Sequence, residues 1–109
     1  MERTLLLVLV TVPDRETAEA ITRAVLDARL AACVNVIADV HSTFWWQQQL
    51  DQGTEKLLMM KTLPHMFDKL SAAIKAAHPY EVPEIIGVPA THSAKAYYNW
   101  VVSEVAPRS

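Results

Sequence analysis

The chain has 109 residues, 51% of them hydrophobic and 20% charged, with a formal net charge of −2. That length holds one domain, spanning 1–109, which buries roughly 65% of the surface its unfolded form exposes. Ten basic residues without a run of them give no electrostatic footprint for nucleic acid or an anionic membrane, so neither is expected as a partner.

The apolar stretch Leu5 to Val12 is short and β-branched. It leads into Pro13-Asp14-Arg15-Glu16 and not into a small-residue cleavage site, which sets it apart from a signal peptide. Apolar residues running on without alternation predict a strand over 3–12 buried on both faces. Asp14 is the expected N-cap of a first helix, whose Ala18, Ile21, Val25 and Ala28 recur on one face to about Arg29. Cys33 is the single cysteine. It excludes an internal disulfide framework and fits a reducing compartment, so the expected location is cytoplasmic. As a nucleophile it would need a base and access; between Ala32 and Val34 its simplest reading is a small buried hydrophobe.

From Cys33 to about Leu50 the sequence is β-branched and aromatic with no Gly or Pro, and Asp51-Gln52-Gly53 is the first turn signal. Eighteen extended residues span roughly 59 Å, against a diameter near 34 Å for a compact domain of this length. Two outcomes are open: a hairpin that projects and lays Phe44, Trp45 and Trp46 on neighbouring subunits, or a bend near Ala38-Asp39 that folds the tip back. Thr54 to Thr62 is the returning strand. Thr62 is the expected N-cap of a second helix, with Pro64 in its first turn and Phe67, Leu70, Ile74 and Ala77 on its inner face. His78-Pro79 ends it. A short proline-bracketed strand follows over 83–89, then a last helix capped by Ser93 and carrying Tyr97, Trp100, Val101 and Val105. The order β-α-β-β-α-β plus a C-terminal helix predicts an α+β, ferredoxin-like sheet with two helices on one face.

Glycine occurs only at 53 and 87, so no phosphate-cradling loop is expected, and no nucleophile elbow is present. The histidines at 41, 65, 78 and 92 make neither His-x-His nor His-x-x-x-His, and no Cys-x-x-Cys accompanies them. A four-ligand structural zinc site is therefore not expected. The run His78-Pro79-Tyr80-Glu81-Val82-Pro83-Glu84 gathers one imidazole, one phenol and two carboxylates on a proline-stiffened segment. His78 has a second reading there, as a group facing the second helix's C-terminus. Lys61, beside Glu55 or Glu84, reads either as a surface ion pair or as the lining of a polar cleft between subunits, together with Tyr80.

Taken together, these segments resemble the CutA family. Val10-Thr11-Val12-Pro13-Asp14 is similar to its first strand and turn, and Leu30-Ala31-Ala32-Cys33-Val34-Asn35 to its entry into the second strand. Ser42-Thr43-Phe44-Trp45-Trp46, Lys61-Thr62 and His78-Pro79-Tyr80-Glu81-Val82-Pro83-Glu84-Ile85 follow in the family's order. Gln47-Gln48-Gln49 departs from the Trp-x-Gly step usual after the aromatic motif, and Phe44 stands where a Tyr is usual. The resemblance implies a ferredoxin-like homotrimer with clasping hairpins, in which Phe44, Trp45 and Trp46 lie at the interface. It implies a non-enzymatic role in tolerance of divalent cations, with no cofactor required. Copper(II) or another divalent ion would be held weakly, with His78, Cys33 and Glu81 as candidate ligands. Two positions the family links to copper are Val10 and Ala77 here, neither of them a ligand. The alternative is a sensor, similar in plan to PII signalling proteins, binding a small molecule in an inter-subunit cleft of Lys61, Tyr80, Glu84 and Glu55.

Overall fold

The computed structural model describes residues 3–105; the outermost ends of the expected domain, 1–2 and 106–109, lie outside the described residues. The elements are β1 (Leu5–Val12), α1 (Arg15–Asp27), β2 (Cys33–Trp46), β3 (Gln49–Thr62), α2 (Phe67–Ala77), β4 (Ile86–Ala90) and α3 (Lys95–Val105). The sheet order is β2-β3-β1-β4 with every neighbouring pair antiparallel, the ferredoxin-like arrangement expected from the element order. Among the described residues no helix is long and apolar enough to cross a membrane.

Alternation along β1 sends Val8, Val10 and Val12 to one face, where Ile21 and Val25 of α1 and Leu70 and Ile74 of α2 meet them. All of these are fully buried, each contributing on the order of 2 kcal/mol. Asp14 caps α1 as expected: the Thr17 N–H donates to its carboxylate at 2.8 Å, which holds that carboxyl below the usual range. Arg29, in the left-handed region at φ 59°, turns the chain out of α1. Its guanidinium meets Glu104 of α3 at 2.8 Å. α3 closes a second, smaller cluster of Leu5, Leu63, Met66, Val101 and Val105.

Several local expectations are corrected. The hairpin turns at Gln47-Gln48, with φ of 52° and 69°, and not at Asp51-Gln52-Gly53. A two-residue loop with both central residues left-handed matches the twist of the flanking strands. β3 therefore runs unbroken through Gly53, and the strands have 14 residues each, shorter than the 33–50 stretch expected on the way out and longer than the 54–62 stretch expected on the return. Thr62 does not cap α2: it ends β3, and its hydroxyl donates to the Leu30 carbonyl at 2.7 Å. Leu63 instead leads into a 3-10 turn over Pro64–Met66. Ser93 ties down the chain's start, donating to the Arg3 carbonyl at 2.7 Å. β4 begins at Ile86, three residues later than Pro83.

Both features posed as alternatives for the hairpin are present. β2 carries a bulge between Ile37 and Val40, with Asp39 at φ 62°. The tip nevertheless does not fold back. Residues 43 to 54 are all exposed, and the molecule measures 46 × 27 × 22 Å. Its radius of gyration is 14.6 Å, above the roughly 13 Å of a compact domain of this length.

Candidate functional site

β1 is not buried on both faces as its unbroken apolar run suggested: Leu7, Leu9 and Thr11 remain half-exposed. Strand register lines them up with Lys61, Met59 and Leu57 of β3, and with Val88 and Ile86 of β4. Both helices α1 and α2 lie on the other face, and α3 covers only the end near Leu5. The result is an apolar sheet face with Ile37, Ile86 and Val88 each 40% exposed or more. Soluble monomers seldom leave such a patch uncovered.

The hairpin continues the apolar surface beyond the body. Trp45 pairs with Leu50 across the strands, and they are 71% and 62% exposed. Phe44 and Trp46, level with Asp51 and Gln49, point to the other side of the ribbon, the one that by the register of β3 continues the open sheet face, and are also exposed. The three aromatics singled out in the sequence are thus unburied within one chain.

A polar corner forms at the far end of the sheet, where β1 ends. α2 stops at Ala77 because Pro79 forbids a helical residue before it, and His78 extends at φ −93°, ψ 134°. This folds the His78 ring inward to 8% exposure. Its Nε2–H donates to the Thr11 carbonyl at 2.8 Å, and its Nδ1 accepts the Tyr80 N–H at 3.2 Å. A carbonyl only accepts and an amide N–H only donates, so these partners fix the tautomer. The Tyr80 ring stands 4.6 Å from the His78 ring, centroid to centroid. Its hydroxyl donates to Glu55 at 2.7 Å, and Glu55 is 8% exposed. Burial, then the bond to Glu55, then the charges of Glu55 and Asp14 push the Tyr80 phenol well above its ordinary range.

The expected metal set does not converge within one chain. Both nitrogens of His78 are committed, leaving no lone pair for an ion. Cys33 lies level with Leu7, four residues along β1 from Thr11 and two strands away. Glu81 is exposed on the loop. No group of three or more His, Cys, Asp or Glu side chains suited to a metal occurs among the described residues. These residues do not fit a copper centre inside a single subunit. Cys33 is half-buried on the open sheet face and not in the core. Partial desolvation of its hydroxyl end, with a further push from nearby Cys33, raises the Tyr97 phenol above its usual range, although the side chain as a whole is exposed. Tyr97 and Trp100, carried by α3 as expected, are exposed and stand 5.5 Å apart.

Of the cleft residues, Glu55 and Tyr80 are brought together. Lys61 is six residues along β3 from Glu55, roughly 20 Å away in an extended strand. Glu84 is exposed, and among the described residues neither carboxylate pairs with Lys61. A cleft containing both ends of this set needs a second copy of the chain. The sequence reasoning missed Thr11, whose carbonyl anchors His78, and the exposed face of β1. The one advance signal for the latter was the length of the hairpin.

A family model described as CutA1 divalent ion tolerance protein matches residues 6–104. The Divalent-cation tolerance protein CutA of Thermus thermophilus is 43% identical over 94 residues, 86% of this chain and 91% of that protein. The crystal structure of CutA1 from Oryza sativa superposes with a TM-score of 0.92 at 31% identity, covering 96% of each chain. A protein from Archaeoglobus fulgidus titled periplasmic divalent cation tolerance protein CutA gives 0.90 at 32% identity, over 93% of this chain and 98% of that one. The chain spans only about half the length of the curated rice and mouse relatives, 54% and 52%. It therefore belongs to the CutA1 divalent ion tolerance protein family.

Proposed function

We propose that this divalent-cation-tolerance protein works as a homotrimer without enzymatic activity, meeting metal ions weakly and at its surface. The observation that carries assembly is the open apolar sheet face, continued by the aromatic hairpin. A hairpin from one copy laid on the sheet face of the next is a head-to-tail contact, which closes into a ring when the rotation permits. The number three comes from the family resemblance. Weak metal contact follows from the committed nitrogens of His78 and the scatter of the remaining donors. Without a four-ligand cage, metal binding is not part of the folding energy. We place the protein in the cytoplasm on the strength of its single, unpaired Cys33, although the Archaeoglobus relative is titled periplasmic.

A second reading is a small-molecule sensor, favoured by the buried Glu55 carboxylate and the partly exposed Tyr80 that donates to it, which would line a cleft closed by assembly. Native mass spectrometry on the chelator-stripped protein separates the two, with copper(II) in one arm and nucleotides and carboxylic metabolites in the other. The metal reading expects several exchangeable copper adducts lost on mild activation. One saturable adduct per seam with an organic ligand would replace it by the sensor reading.

A further inference from the structure

Two rows of side chains cross the open sheet face, Cys33–Lys61–Leu7–Val88 and Asn35–Met59–Leu9–Ile86. Lys61 is the one charged group in either. It is already half-buried, and its ammonium makes no hydrogen bond or ion pair among the described residues. Covering this face with another copy would finish removing it from water. An ammonium left unpaired in such a seam costs more than its apolar neighbours return, so the covering surface has to bring a negative group.

The hairpin is the element that leaves the body of its own subunit, and its acids are Asp39, Asp51 and Glu55. Glu55 is committed to Tyr80, and Asp39 sits inside the bulge. Asp51 is exposed and pairs across the ribbon with Phe44, so it shares a face with an exposed aromatic ring. One of its oxygens accepts the Gln52 N–H at 2.8 Å. The other is free. An apolar face with one cation thus complements an aromatic ribbon face with one carboxylate.

We propose that Lys61 receives the Asp51 carboxylate from the hairpin of a second copy of the chain, an ion pair that sets where the hairpin docks. This rests on the assembly reading above and adds its register. The alternatives are that the Lys61 stem bends its ammonium out to solvent, or that a free small oxyanion occupies the site.

The test measures the dissociation constant of the full-length chain by dilution, for wild type, K61M, K61E, D51K and the K61E/D51K double variant. Far-UV dichroism confirms folding of each, and D51K lies on an exposed strand where folding does not depend on it. The proposal expects K61M to weaken assembly at least about tenfold, because it strands Asp51 against an apolar face. K61E and D51K alone should weaken it about 100-fold, and the double variant should recover to within about tenfold of wild type. The proposal is overturned if K61M assembles as tightly as wild type or tighter, or if the double variant is no better than the singles. It is equally overturned if added inorganic phosphate tightens wild type and not K61M, which would make a free oxyanion the occupant. A wild-type chain that is itself monomeric removes the assembly reading first; wild-type assembly with indifferent variants removes only this one.

Discussion

Replacing Tyr80 by Phe removes one hydroxyl and leaves the ring that packs, tilted, against His78. That hydroxyl is the only donor given to the Glu55 carboxylate among the described residues, at 2.7 Å, and Glu55 is 8% exposed. A hydrogen bond to a charged acceptor contributes about 1.5–3 kcal/mol net, and more of that is lost when the acceptor stays buried without a partner. Tyr80 is itself 37% exposed, so water can reach part of the vacated space. Discounting for that access, the expected loss is about 1–2 kcal/mol, or a fall in Tm of roughly 5–10 °C for a domain of this size. The pH dependence has a definite sign. The Tyr80 phenol is raised in the folded state above its unfolded value of 10.0, so its contribution is complete below pH 10 and fades as pH rises beyond it. Equilibrium guanidinium unfolding at one fixed protein concentration should therefore show Tyr80→Phe less stable at pH 8, with the gap narrowing above pH 10. A gap that is absent at pH 8, or unchanged from pH 8 to pH 11, would refute the assignment of Tyr80 as the partner of the buried Glu55.

Gln48 sits at φ 69°, where a Cβ is unfavourable, so Gln48→Gly should stabilise the chain by about 0.5–1 kcal/mol after glycine's extra unfolded entropy is deducted; chemical denaturation reads this directly. Trp45→Ser with Trp46→Ser should raise the dissociation constant of the assembly at least about tenfold while leaving far-UV dichroism nearly unchanged, because both rings are exposed in the isolated chain. Treatment with EDTA should move the melting temperature by no more than about 2 °C, since no ligand cluster among the described residues contributes to folding; a fall of tens of degrees in a calorimeter would reveal a structural metal.

The element order was legible because its signals are local. Asp14 stands three residues before the amide it caps, and Pro79 stops α2 through its own ring. The inner faces of α1 and α2 follow from spacing at Ala18, Ile21, Val25, Phe67, Leu70 and Ile74, while Ala28 and Ala77, expected to continue them, are exposed because each helix ends there. What escaped depended on distant or missing partners. The commitment of His78 rests on a carbonyl 67 residues away, which no motif of one imidazole among carboxylates could foretell. The turn at Gln47-Gln48 lacks the Asn or Gly that normally marks left-handed residues, so the glycine at 53 drew the turn instead. A run such as Leu5–Val10 reads the same whether a helix of its own chain or another subunit covers its second face.

Assembly is the claim on which the rest depends, because the proposed roles of the open sheet face, of the projecting hairpin and of Lys61, unpaired among the described residues, all invoke a neighbour. Multi-angle light scattering on size-fractionated protein at micromolar concentration measures it without assumptions about shape. The account predicts a mass of about 37 kDa, three times the 12.2 kDa of one chain, independent of EDTA. A mass near 12 kDa across that concentration range would contradict it.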